Sequence, residues 1–298
     1  MSLKKLQIAP GPLLILLSNL CFCTTGTAQA LAPEGAPPPV VGALRLLIGG
    51  AAMLLWCAAT GKLPRRTGWP WAKVLLAGVS LVAFQVCFFL ALRKTGVAVG
   101  TMVCAGSVPI MGGLFSWIFF KEKPSRLWYP ATLAAVAGVV LLSITGPLRV
   151  EPLGLVLALT ATLFYLGNTL TSKSLARKHP PETVMCVLFL MAGLLSLPIF
   201  FIFPVDWLFS ARGMLVALHL GVVTAALAYT LNLAGLKITP TPTAMTLVLT
   251  DPLGAALLGF FLLGEPADAP ILLGMCLIFI SMAALSVTGR GREAKLSG

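Results

Sequence analysis

The chain predicts an all-α membrane protein, ten transmembrane helices arranged as two inverted five-helix repeats. Apolar residues make up 58% of the 298 and charged ones only 10%, with a mean hydropathy of +0.98, whereas soluble domains carry about a quarter charged residues. Residues 221–265 also echo the chain 143 positions earlier: Gly221, Val222, Ala226, Leu233, Ala234, Met245, Pro252, Leu257 and Glu265 match Gly78, Val79, Ala83, Leu90, Ala91, Met102, Pro109, Leu114 and Glu122. Finally, the apolar sequence divides into ten runs of about twenty residues, the length that crosses a bilayer.

In order, the runs cover 12–31, 39–60, 71–92, 96–119, 126–146, 152–172, 182–203, 212–235, 241–263 and 269–288. The first follows Lys4 and Lys5 and ends near Ala28-Gln29-Ala30, so it imitates a secretion signal. An uncleaved first span is preferred, because cleavage would remove one helix from the first half. Spans one and two are separated by Pro33 to Pro39, two and three by Pro64-Arg65-Arg66, four and five by Lys121-Glu122-Lys123-Pro124, and six and seven by Lys178-His179-Pro180-Pro181. With the N-terminus inside, cytoplasmic segments hold sixteen Lys and Arg against four outside, which places both termini in the cytoplasm. Five spans per half is odd, so the second half enters the bilayer from the opposite side. The units are residues 8–147, residues 148–289 and a basic tail, 290–298. In the N-terminal parts the repeat aligns more weakly, at an offset near 142: Phe22 on Phe164, Gly26 on Asn168, Pro38 on Pro180.

Pro109 and Pro252 sit in the middle of spans four and nine, with Ser107 and Thr250 just before them. A proline there removes an amide donor and leaves a carbonyl free, which lipid tolerates only beside protein or a wet cavity. Paired interruptions in two halves point to a transporter's binding site. Asp251 is the one acid near mid-span, and an ionised carboxylate there costs at least about 2.5–3.5 kcal/mol on insertion scales. It reads as an amine or proton site, as a cap on the following helix turn, or as both. Tyr165 and Asn168, and Tyr229 and Asn232, share helix faces at three-residue spacing. With Asn19, Gln85, Phe84 and Phe88 they are expected to line a path; inter-helix hydrogen bonding is the blander reading. Arg45, early in span two, reads as a gate that pairs with Glu34 or with a helix C-terminus, or as a side chain snorkelling to the interface. His219 fits a proton relay less well than a structural hydrogen bond. Glu122 and Glu265 close spans four and nine and share some structural task.

Other chemistries are missing from the chain. There is no phosphate-binding Gly-x4-Gly-Lys-Ser/Thr loop, no metalloprotease or serine-hydrolase motif, and no potassium filter. The seven cysteines lie in apolar spans without metal-ligand spacing, so no cofactor and no metal are expected. The charge of +12 lies in short loops and reflects topology instead of nucleic-acid binding.

Ala43-Leu44-Arg45-Leu46-Leu47, the mid-span prolines and the endings Phe120-Lys121-Glu122-Lys123-Pro124 and Leu263-Gly264-Glu265-Pro266 resemble the drug/metabolite transporter superfamily in its EamA-type branch. The resemblance covers nearly the whole chain. It implies a central cavity between spans one, three, four, six, eight and nine, and export of amino acids and related metabolites across the bacterial inner membrane. The expected function is a monomeric secondary transporter, not an enzyme, which exports neutral or aromatic amino acids by alternating access. Export of other metabolites or drugs, a membrane scaffold and an intramembrane enzyme are the alternatives. A phosphate carrier would require a basic residue deep in the pathway, and Arg45 is expected to be too shallow.

Overall fold

Proline and glycine punctuation decides where the helices start and stop. The computed structural model describes residues 10–64, 68–120, 126–144, 151–239, 247, 250–265 and 267–293, and at Pro109 and Pro252 it describes the backbone alone. The elements are α1 (Pro10–Phe22), α2 (Thr24–Ala30), α3 (Pro38–Ala59), α4 (Trp71–Thr95), α5 (Val97–Phe120), α6 (Trp128–Ile144), α7 (Pro152–Ala176), α8 (Pro181–Ser196), α9 (Ile199–Ile202), α10 (Ala211–Leu218), α11 (Ala228–Ile238), α12 (Thr250–Leu263) and α13 (Ala269–Glu293). Proline opens α3, α7 and α8, where its missing N–H would have lacked a helical partner anyway. Between α10 and α11 the helix widens into a π turn over His219–Leu227. No strand occurs among the described residues.

Among the described residues, six segments are long and apolar enough to cross a membrane: Pro10–Ala30, Pro38–Ala59, Trp71–Thr95, Pro152–Ala176, Pro181–Ile202 and Ala211–Ile238. Shorter apolar helices follow at Val97–Gly112, Leu253–Leu263 and Ala269–Ser281. This is a multi-pass membrane protein, with six of the ten expected spans established by length and composition. Leu55, Leu133, Phe201 and Phe261 are more than two-thirds exposed. In water such apolar side chains would be a liability, but a bilayer solvates them.

The two halves touch each other reciprocally. Gly50 of α3 packs on the backbone of Phe189 and Leu190 in α8, while Gly193 of α8 packs on Leu46 and Leu47 of α3. Each contact becomes the other when every number is shifted by 143. Likewise Gly78 faces Met191 and Gly221 faces Ile48. This corrects the offset of 142 expected for the N-terminal parts. Pro37 and Pro180 both precede the first turn of a helix, and Pro38 and Pro181 both begin it, so 143 holds there too. Loose motif matching slipped by one residue because adjacent prolines align equally well either way.

The Gly50 contact leaves no room for a side chain. A Cβ there would lie 3.2 Å from three backbone atoms, which cannot rotate away. Gly50→Ala is expected to cost about 1–2 kcal/mol of stability by overpacking, whereas Gly112→Ala, with nothing within 4 Å, should cost nothing. Thermal unfolding of the two variants in detergent checks the contrast.

Candidate substrate cavity

Where the halves meet, α1 runs into α2 through Cys23, whose backbone stays helical and bonds to the Asn19 carbonyl, and a cavity of about 90 Å³ opens beside this junction. Its wall includes Phe22, Thr25, Arg45, Phe84, Phe88, Thr101, Val108, Tyr165, Tyr229 and Asp251. A smaller cavity of about 40 Å³ is lined by Asn168, Ser172, Lys173 and Asn232 and shares Phe22, Tyr165 and Tyr229 with the first. Those three rings therefore form a layer common to both spaces. Tyr229 meets Phe22 edge-on at 5.0 Å and Phe189 at 5.2 Å, and Phe84 lies 5.7 Å from Tyr165. Edge contacts of this kind lock ring orientation.

The geometry divides the residues read as substrate-binding. Phe84, Phe88, Tyr165, Tyr229 and Asp251 face the larger cavity, and Asn168 and Asn232 face the smaller one. Asn19 and Gln85 line neither. Asn19 Nδ2 donates to the Leu247 carbonyl at 2.6 Å and to Thr250 Oγ1 at 2.9 Å, and the Thr250 hydroxyl donates to the same carbonyl at 2.7 Å. In the other half, Thr162 and Ser107 hydroxyls each donate to the Cys104 carbonyl at 2.9 Å and lie 2.8 Å apart. Asn19 and Thr162, Thr250 and Ser107, and Leu247 and Cys104 are each separated by 143 positions. Both halves thus hold the turn before the mid-span proline by the same polar triad, although one bridging residue is an amide and the other a hydroxyl. The carbonyl that Pro109 leaves without an amide belongs to Ala105, four residues earlier, and Ala105 lines the larger cavity.

Arg45 departs from the sequence reading. It is 2% exposed and lines the cavity instead of snorkelling to an interface. Its Nη1 donates to Gln85 Oε1 at 3.0 Å and its Nη2 to the Thr224 carbonyl at 2.7 Å. The guanidinium also lies 5.7 Å from the Tyr229 ring centre. The expected Glu34 partner is replaced by Gln85 and by the π turn, while Glu34 sits exposed in the α2–α3 connection. An arginine read from position alone looked shallow because it is only two turns into its helix. The burial comes from α4 and the π turn closing over it, and a π turn leaves no simple mark in sequence. His219, at the head of that turn, shares a hydrogen bond of 2.9 Å with Thr24, as the structural reading supposes.

Phe22, Thr25 and Thr101 are cavity residues that sequence reasoning passed over. Phe22 lies 143 positions from Tyr165, so the corrected offset would have paired these two rings. The two charged wall residues break the repeat: the counterparts of Arg45 and Asp251 are Leu188, fully buried, and Val108. The fold therefore accepts apolar side chains at those positions.

The family model of EamA-like transporters matches this chain twice, over residues 9–144 and 152–287. The chain belongs to the EamA-like transporter family. An uncharacterized transporter of Bacillus subtilis, YwfM, is 38% identical over 94% of this chain and 95% of its own length. The threonine/homoserine exporter RhtA of Salmonella typhimurium is 27% identical over 96% and 94% respectively. A solved crystal structure superposes with a TM-score of 0.67, covering 94% of this chain and 98% of its own at 23% identity, which speaks for the fold. As an EamA-like protein the chain is a membrane transporter with a small-molecule substrate, in line with the expectation that it is no enzyme.

Proposed function

We propose that this EamA-like protein is a ten-span, monomeric secondary transporter of the bacterial inner membrane, with both termini in the cytoplasm. It exports neutral or aromatic amino acids and related metabolites by alternating access between inverted repeats. The observation that carries this reading is the cavity between the halves, whose aromatic wall encloses one carboxylate, Asp251. Phe84, Phe88, Tyr165 and Tyr229 offer apolar and π contacts to a side chain. Asp251 takes an ammonium or a proton. Phe22, Tyr165 and Tyr229 stand between the larger cavity and the smaller one that reaches Lys173. Under the proposed topology Lys173 lies at the cytoplasmic end of α7, so this ring layer is the inner barrier. Pro109 and Pro252, with the Ser107 and Thr250 triads, are the hinges. RhtA's substrates give the amino-acid class independent support by relationship.

Counterflow in proteoliposomes, with a panel of amino acids at imposed proton gradients, tests the proposal. Saturable exchange is expected, and its absence for every amino acid rejects the substrate class. In the same assay Tyr229→Ala should shift the preference among substrates by roughly fivefold, the loss of one ring contact of about 1 kcal/mol. Leu55→Ala, on the exposed face, should shift nothing. Equal effects would reduce Tyr229 to packing.

A further inference from the structure

A buried guanidinium requires a paired anion or a full set of acceptors; Arg45 shares a cavity wall with Asp251 but makes no ion pair with it, and its donors are only partly bonded. Among the described residues it makes no ion pair, its two hydrogen bonds go to neutral oxygens, and its Nε has no partner. The Thr25 hydroxyl, also buried and lining the same cavity, is likewise without a partner. A buried charge without a contact ion pair is unfavourable. Such a cost in a cavity wall is characteristic of groups whose partner arrives with the ligand. The fold itself does not need the charge, because Leu188 occupies the equivalent place in the second repeat.

We propose that Arg45 anchors the carboxylate of the substrate and that Thr25 is a second donor to it. Gln85 and the Thr224 carbonyl hold the guanidinium in place by occupying one N–H on each terminal nitrogen. Asp251, on the same wall, receives the ammonium. The cavity thus presents one cation and one anion that are not ion-paired with each other, the complement of an α-amino acid zwitterion. A sugar offers neither charge, a drug cation offers only one, and a phosphate dianion would be repelled by Asp251. This assignment rests on the amino-acid reading above and adds the group that separates amino acids from amines.

The test uses the full chain in liposomes, with labelled threonine, leucine and phenylalanine in counterflow and unlabelled competitors. For each acid that exchanges, its amide keeps the ammonium and side chain but loses the carboxylate charge. The amide is expected to compete at least about tenfold more weakly, the usual scale for one buried charged hydrogen-bond set. Arg45→Lys should weaken affinity yet keep the preference, and Arg45→Gln should level acid and amide. A folded Arg45→Gln that keeps the full preference for the acid overturns the assignment; if that variant does not fold, Arg45→Lys carries the test, and unchanged affinity for the acid there overturns it. Equal competition by acid and amide in wild type overturns the carboxylate role while leaving amino-acid transport standing. No exchange of any amino acid overturns both.

Discussion

Asp251→Asn is expected to impair any proton-coupled export by tenfold or more and to leave the quantity of folded protein near that of the parent. The substitution keeps the shape and hydrogen-bonding size of the side chain but removes its titrating proton. Asp251 lines the cavity and lies in the first turn of α12. Its counterpart Val108 lines the same cavity from the other repeat, so the bundle does not depend on an acid there. A carboxylate at membrane depth is costly enough to be kept only for a task. The measurement is efflux against an imposed pH gradient, compared with exchange at equal pH on both sides. Gradient-driven flux should collapse and lose its pH dependence. Unchanged flux with unchanged pH dependence would remove Asp251 from both coupling and ammonium binding; loss of exchange at equal pH as well would point to ammonium binding instead of coupling.

Much of the architecture could be read from residues alone, since hydropathy marks membrane helices directly and the 143-residue repeat survives in glycines and prolines that close contacts and breaks require. The Gly50 and Gly193 crossing is the physical reason those residues recur. Asp251, Tyr165 and Tyr229, which line the larger cavity, could be picked out because an acid at membrane depth is costly and each tyrosine shares a helix face with an asparagine. Asn19 and Gln85 were not separable from them, since the same chemistry that binds a solute also braces a helix break or fixes an arginine. Arg45 was misplaced in depth because the π turn that buries it is a property of packing, not of composition. Thr25 and Phe22 escaped because nothing distinguishes them within an apolar helix until the cavity beside the α1–α2 junction is seen.

Glu265→Ala should lower stability by about 3 kcal/mol, from the loss of a clamp between repeat-related helices. The end of α12 explains how the clamp is built. Gly264 takes φ +67°, a left-handed helix stop, and the Glu265 amide reaches back six residues to the Gly259 carbonyl at 3.0 Å. That reversal carries the carboxylate to the start of α5, where Oε1 accepts from the Val97 amide at 2.6 Å and Oε2 from Ala98 at 2.9 Å. A Cβ on Gly96, at φ +83°, would sit 3.1 Å from Oε1, and one on Gly259 would sit 2.6 Å from Oε2. Both glycines therefore make room for the carboxylate. Two charge-assisted bonds at about 1.5 kcal/mol each account for most of the expected loss, and the positive end of the helix dipole adds a few tenths. Glu265→Gln, which offers one carbonyl oxygen and no charge, should lose roughly half as much. Glu151 is the control: it pairs with Lys94 at 2.5 Å, but its side chain is 52% exposed, so Glu151→Ala should cost well under about 1 kcal/mol. Equal losses for Glu265→Ala and Glu151→Ala in detergent unfolding would show that the clamp carries no load. A large loss for Glu265 alone would make it the bond that ties the end of α12 to the start of α5. The partner residue in the repeat, Glu122, lies outside the described residues, yet its position at the same point of the repeat makes Glu122→Ala the natural companion variant. A comparable loss there would show that both repeats use one closing device.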